Sequence, residues 1–186
     1  KTDLAISLTK LVSSEIISVD SAQVYKGMDI GSGKASKDVL DRYPHKLVSF
    51  IDPWKSYSTA LFILDASREI NLCDRSNKVP LLVGGTMLYF RSLLSGISRM
   101  PKADQNVRNE LSYEAKKHGW GSLHTKLAEI DPESASRIHP NDSQRIQRAL
   151  EVYLVSSKTM TEWRQRDQGS QLVKSREVMQ FAVEPE

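Results

Sequence analysis

Two short stretches of this chain place charged and hydroxyl side chains where chemistry is commonly built. The first is Lys1-Thr2, at the head of the amphipathic segment DLAISLTKLV. Lys-Thr before a helix is the tail of the phosphate-binding pattern G-x-x-x-x-G-K-S/T. There, backbone N–H groups and a helix N-terminus bind phosphates, the lysine neutralises charge and the hydroxyl holds Mg2+. The glycines of that pattern would lie just upstream of residue 1. The second stretch centres on Asp20, which ends the run Ile16–Val19 and is followed at once by Ser21, Ala22, Gln23, Tyr25 and Lys26. A strand that delivers a carboxylate into a polar loop is how open α/β sheets build sites, at the carboxyl ends of their strands. Asp20 there can act as a general base or orient an acceptor beside the phosphates, since such work needs a carboxylate within reach of the proton it removes. Ser21 and Gln23 add donors and acceptors suited to the edge of a flat base, and Tyr25 offers a face for stacking. Plainer readings stand beside these: Lys1-Thr2 as an exposed lysine and a helix cap, Asp20 as an acid that caps a turn, Tyr25 as packing.

Two further groups have the right chemistry. Gly84-Gly85-Thr86 follows an apolar run; two glycines let a backbone approach a ligand closely or turn sharply. Thr86 either caps the next helix or points into the same crevice. In Gln144-Arg145-Ile146-Gln147-Arg148, helical spacing places Gln144, Gln147 and Arg148 on one face and Ile146, Ala149, Leu150 and Tyr153 largely on others. Gln and Arg read base edges and phosphates, while a solvated face of an amphipathic helix is the simpler account. His45, His118, His124 and His139 show no metal-ligand spacing. Lys116-Lys117 is a small basic surface cluster with no assigned role.

The elements that must position these residues alternate. Apolar spacing predicts a helix over residues 3–13, a strand over 15–19, a short helix over 36–43 begun by Ser36, and a strand over Lys46–Ile51. A helix capped by Ser58 follows from Thr59 to about Asp74, then a strand over Val79–Val83 and a helix from Thr86 to Leu94 that stops at Gly96. Strands alternating with helices argue a parallel sheet. After Met100 the pattern is helical: 105–118 capped by Asp104 and ended by Gly119, then Leu123–Ile130, Pro132–Arg137, and 144–156 capped by Ser143. VMQFAV, Val178–Val183, reads as a further strand, and 164–176 as a polar connection. The expected organisation is therefore an α/β core over 1–100 and 177–186 with an all-helical insertion over 101–176.

Bulk composition bounds the function. A chain of 186 residues supports one good core, or one core and a small satellite. Hydrophobic content of 39% with 26% charged residues describes an ordinary globular protein. A net charge of +3 permits an anionic partner without demanding one. No apolar run approaches the ~20 residues of a membrane span, and there is no basic-then-apolar signal segment within these residues. The single Cys73 excludes an internal disulfide and a cysteine-built zinc site, and its helical setting predicts a packing role.

Taken together, KTDLAISL, EIISVDSAQVYKGMDIGS, Asp52-Pro53 with Tyr57-Ser58, VPLLVGGTMLYF, Trp120 with Ser122-Leu123-His124, AEIDPESASRIHPNDSQRIQRALEVY and QFAVEP resemble the tRNA isopentenyltransferase family, in family order from residue 1 to residue 186. The resemblance implies a P-loop NTPase-like parallel sheet flanked by helices and adapted to prenyl transfer. Its reaction moves a dimethylallyl group from dimethylallyl diphosphate to N6 of the adenosine at position 37 of tRNA, just 3′ of the anticodon. By carry-over at matching positions, Asp20 is the base at that amine, Thr2 the diphosphate and Mg2+ contact, and Lys1 its neighbour. Asp20, Ser21, Ala22, Gln23, Thr86, Arg108, Gln144, Arg145, Ile146, Gln147 and Arg148 match positions that meet the tRNA, and the helical insertion grips it. The implied partners are the tRNA anticodon stem-loop and dimethylallyl diphosphate, the implied cofactor is Mg2+, and a cytoplasmic monomer without a membrane is expected. The family pattern also carries a glycine loop and first strand before Lys1 and a helical segment with a further arginine after Glu186, so residues 1–186 alone are expected to be inactive. Rival readings are a P-loop small-metabolite kinase using ATP, a transferase prenylating free adenine nucleotides, and an RNA-binding module with a degenerate site.

Overall fold

The computed structural model describes residues 1–96, 100–165 and 176–184. The chain divides into two compact units, one formed by Lys1–Ile97 with Gly169–Glu186 and the other by Ser98–Gln168.

The first unit is built on three parallel strands, β1 (Ser14–Val19), β2 (His45–Lys46) and β3 (Val79–Gly84), in the order β2-β1-β3. β1 is central, and Ile16, Ile17, Ser18 and Val19 are all buried. A strand covered on both faces reads as a continuous apolar run rather than an alternating one, as the sequence does here. Helices α1 (Thr2–Thr9), α2 (Lys37–Arg42), α3 (Thr59–Arg75) and α4 (Met87–Ser95) connect and flank the strands. The caps are the expected ones: Ser36 accepts from the Val39 N–H and Ser58 from the Leu61 N–H. α3 turns Phe62, Ala66, Ile70 and Cys73 onto Ile17 and Val19 of the sheet, and Tyr89 and Leu93 of α4 complete that core. Cys73 is a packing residue, and burial pushes its thiol above its ordinary pKa.

Three expectations fail in this unit, each for a physical reason. The strand expected over Lys46–Ile51 ends at Lys46, because Leu47 and Ser49 take positive φ (62° and 52°) that no extended strand accommodates. The segment hydrogen-bonds instead to the turn after β1: Ser49, Phe50 and Ile51 donate to the Gln23 and Val24 carbonyls, and Ile51 bridges Tyr25. The first helix ends at Thr9 rather than residue 13; Leu11 is 81% exposed, so its last turn gains no packing. Val178–Val183 forms no strand. It joins no ladder, and Val178, Met179, Phe181 and Val183 are all exposed, so neither face of the segment is covered. Of the polar connection 164–176, residues 166–175 lie outside the described residues, and Arg176 pairs with Asn71 and Asp74 at the end of α3.

The second unit is helical: α5 (Gln105–Ile130), α6 (Pro132–Arg137), α7 (Ser143–Ser156) and α8 (Met160–Gln165). Gly119 breaks α5 with φ 79° and ψ 157°, so the two helices expected on either side of it are both present. Leu111, Leu123, Leu127, Ile146, Leu150 and Val152 form its core. Asp142, not Ser143, caps α7, accepting from the Arg145 N–H. Asp131 joins α5 to α6 and ties α8 down: its carboxylate accepts from the Ser134 and Thr161 N–H groups and the Thr161 hydroxyl. Burial raises the Asp131 pKa, but these hydrogen bonds outweigh it and hold the group below its ordinary value.

Candidate active site at the strand ends

In a parallel sheet all carboxyl ends lie along one edge. β1 and β3 end level with each other, Val19 opposite Gly84. The next residues of the two strands, Asp20 and Gly85, are therefore neighbours. The fit is tight at Gly84, where a Cβ would stand 2.0 Å from the Val19 carbonyl oxygen. No residue but glycine enters there without moving the backbone, which explains the first glycine of the pair.

Asp20 is half-buried. Its Oδ1 accepts from the Ala22 N–H at 2.9 Å and from the Gln23 N–H at 3.2 Å. This turn is the capping role weighed above, yet it occupies one carboxylate oxygen and so orients the other. Thr86 N–H donates to the Val19 carbonyl, and Thr86 Oγ1 accepts from the Ser21 N–H at 3.0 Å and stands 3.4 Å from the Ser21 hydroxyl. Thr86 makes no side-chain cap on α4; its hydroxyl ties the end of β3 to the turn after β1. Lys1 reaches the same edge, its ammonium 3.5 Å from the Gly84 carbonyl and 3.3 Å from where a Cβ on Gly85 would be. Thr2, beside it, opens α1. Lys1, Asp20, Ser21 and Thr86 are thus assembled from residues up to 85 positions apart in sequence.

The remaining candidates divide. Ala22 is exposed on the turn. The Gln23 amide is committed internally: its Oε1 accepts from Ser18 and its Nε2 donates to the Ser32 and Gly33 carbonyls. Tyr89, a residue the spacing did not single out, is buried and stacks on Phe62 at 4.3 Å. Burial, with smaller contributions from neighbouring Tyr25 and Asp20, pushes its phenol above the ordinary value.

In the helical unit, Arg108, Gln144, Arg145, Gln147 and Arg148 line one groove of about 370 Å³. Ile146 is turned away into the core with 0% exposure, and its side chain has no surface to offer a ligand. Gln147 donates to the Arg108 carbonyl and the Ser112 hydroxyl. The organiser of the groove is Glu151, also 0% exposed. It accepts from Arg108 at 2.8 and 3.2 Å, from Arg148 at 2.6 Å and from the Asp104 N–H at 2.8 Å. Burial raises its pKa, but the hydrogen bonds of Arg108 and Arg148 win, and the net value is lowered. Two guanidinium groups are thereby held at the surface by one buried anion. Sequence reasoning missed Glu151; its signal was an acid three residues after Arg148, set within the apolar run Ala149–Val152 where the helix is covered on every side.

Among the described residues, no group of three or more His, Cys, Asp or Glu side chains is placed to hold a metal ion, and no helix is long and apolar enough to cross a membrane.

Residues 23–186 match the family model described as IPP transferase. Among solved structures, the chain is 38% identical to a tRNA isopentenylpyrophosphate transferase from Bacillus halodurans, over 85% of this chain and 52% of that one, with a TM-score of 0.52. It is 35% identical to a tRNA delta(2)-isopentenylpyrophosphate transferase from Staphylococcus epidermidis, over 91% and 57%, with a TM-score of 0.50. A eukaryotic dimethylallyltransferase acting on tRNA is 27% identical over 91% and 42%, with a TM-score of 0.75. The chain therefore spans about half the length of these relatives. Because the family match runs from the turn after β1 through the whole helical unit, this chain belongs to the IPP transferase family.

Proposed function

We propose that the protein to which these residues belong transfers a dimethylallyl group from dimethylallyl diphosphate to N6 of adenosine 37 in tRNA. The observation that carries this reading is the joining of Asp20, Ser21, Thr86 and Lys1 along one sheet edge, with one Asp20 oxygen fixed by its turn and the other available. The C–O bond of the allylic diphosphate breaks, and the departing diphosphate takes the electron pair. The N6 lone pair forms the new C–N bond, and the amine proton passes to Asp20. An exocyclic adenine amine is a poor nucleophile because its lone pair is delocalised into the ring; a carboxylate that holds it and accepts its proton addresses that difficulty. Lys1 and the start of α1 supply positive charge for the departing anion.

The donors at this edge fit Mg2+ carried by a diphosphate. Mg2+ retains waters and takes one or two protein oxygens beside phosphate oxygens, and the edge offers hydroxyls and a single carboxylate rather than a closed cage. Thr2 would hold the ion, whose contribution is to counter the charge developing on the leaving group. The groove lined by Arg108, Gln144, Arg145 and Arg148 suits the phosphates and bases of an RNA loop, whose target base must leave its stack to react. On this reading residues 101–176 serve to bind tRNA, and the enzyme works as a cytoplasmic monomer.

The family match through the helical unit favours this over a small-metabolite kinase. The test is transfer from labelled dimethylallyl diphosphate by the full-length protein. Transfer to the anticodon stem-loop is expected. Faster transfer to free AMP than to tRNA, or ATP turnover without prenyl transfer, would overturn it.

A further inference from the structure

Among the ion-paired lysines of the described residues, Lys34 alone has an almost fully enclosed side chain, 3% exposed, and the chemistry above does not use it. Its ammonium donates to the Tyr25 carbonyl at 2.8 Å and to Asp29 Oδ1 at 2.7 Å. Both partners lie on the loop that leaves the Asp20 turn, so the lysine closes that loop from inside. A second clamp lies beside it. The Gln23 amide donates to the Ser32 and Gly33 carbonyls, and the Ser32 hydroxyl to the Met28 carbonyl. Gln23 also gives its backbone N–H to Asp20. A continuous set of hydrogen bonds therefore runs from the Asp20 carboxylate through Gln23 to residues 32–33, and Lys34 secures the same loop at Tyr25. The loop so fixed presents Met28 and Ile30, 49% and 99% exposed, beside the turn that bears the base.

We propose that Lys34 is a positioning residue for the acceptor side of the transfer. By tying residue 34 back to the Tyr25 carbonyl it keeps the Asp20 turn and the following loop in the one shape that receives the tRNA base. The diphosphate side, at Lys1 and Gly84–Gly85, shares none of these hydrogen bonds. The Tyr25 carbonyl is the partner that matters. Asp29 is 66% exposed, and an ion pair to so exposed a carboxylate contributes little. Burying an ammonium is costly unless its donors are satisfied, so removing the loop carbonyl or the lysine removes the reason for the loop to close.

The proposal rests on the transfer reading above, and its test separates the two. In the full-length protein, Lys34→Met keeps the length of the buried stem and removes the donors. The expected result is a fall of about 10- to 100-fold in kcat/KM for tRNA, the scale of rate loss that misplacement of a reacting group by about 1 Å produces. KM for dimethylallyl diphosphate should stay within twofold of wild type. Asp29→Asn should leave both constants unchanged. Should Lys34→Met fail to fold, Ser32→Ala loosens the same loop from its polar side, and a smaller fall in kcat/KM for tRNA, with KM for dimethylallyl diphosphate unmoved, is expected. A matching rise in KM for dimethylallyl diphosphate, or an unchanged kcat/KM for tRNA in either variant, would overturn the assignment of Lys34. An absence of transfer by the wild-type protein would overturn the transfer reading instead.

Discussion

Asp20 and Glu151 are both acids next to groups suited to binding anions or bases, but they are held in opposite ways. Asp20 stands half-buried at a strand end, with one oxygen taken by two backbone N–H groups and the other oxygen unengaged by them. Glu151 is wholly buried, and both of its oxygens are consumed by Arg108, Arg148 and a backbone N–H. The first arrangement orients a carboxylate and leaves it capacity to react. The second spends the carboxylate on holding two arginines in place. An acid is thus identified as chemical or architectural by what remains of its hydrogen-bonding capacity, not by its type.

That contrast predicts opposite responses to removal. On the proposed transfer, Asp20→Asn in the full-length protein keeps an oxygen for the Ala22 and Gln23 N–H groups and should lower prenyl transfer by roughly 10²–10⁴-fold, the usual loss of an acid–base group, while tRNA binding by filter retention and the unfolding midpoint stay near wild type. Unchanged transfer would make Asp20 a turn cap and erase the distinction. Glu151→Ala should do the reverse and cost stability, about 3–5 kcal/mol, because two guanidinium groups lose a buried counter-charge. Thermal unfolding measures it, and a midpoint unmoved from wild type would show that the arginines hold their places without it.

The pH dependence sharpens the same comparison. Glu151 and Asp131 both have folded-state values below their ordinary ones, 4.5 and 3.8. The unfolded chain therefore binds more protons as pH falls past those values. The stability these groups contribute is complete above the ordinary carboxylate range and is lost as pH drops through it and through the lower folded values. Unfolding midpoints from pH 7 to pH 3 should fall, and fall less steeply in Glu151→Gln. An identical slope in wild type and variant would remove Glu151 from the acid response.

Smaller effects test how closely the strand-end site is built. Gly84→Ala places a methyl against the Val19 carbonyl and should destabilise by about 1–3 kcal/mol, as overpacking does. Gly85→Ala meets only the flexible end of Lys1 at 3.3 Å and should cost far less. Equal costs would mean the two strand ends are not tightly joined. Thr86→Val removes the acceptor for the Ser21 N–H and should cost about 1 kcal/mol; chemical denaturation resolves a change of that size.

Local chemistry made much of this legible in advance. Ser36, Ser58 and Asp104 mark helix starts because a side-chain oxygen before an amphipathic run satisfies orphan N–H groups. Gly119 marks a break because φ 79° suits glycine. Ile16–Val19 announces a strand covered on both sides. Long-range contacts account for the misses. Nothing in KLVSFI says that Leu47 and Ser49 take positive φ, because the reward is the hydrogen bonds that Ser49, Phe50 and Ile51 make to the Gln23 and Val24 carbonyls, far back in the chain. VMQFAV has strand composition, but a strand requires a partner ladder, and none accompanies it here.

By itself, then, the sequence determined the alternation of helices and strands over the first hundred residues and the run of helices after it, the placing of Lys1, Asp20 and Thr86 at element ends, and the resemblance that named a reaction. Those are properties of short segments, set by spacing, propensity and capping. Only the tertiary structure decided which of these residues meet. Strand register brings Asp20 beside Gly85 and Thr86, burial turns Ile146 inward and Glu151 into an anchor, and the fold encloses Lys34 within the loop it closes. The reason is physical: a carboxylate, an ammonium or an amide acquires its role from what desolvates it and what donates to it, and both are supplied by residues distant in the chain.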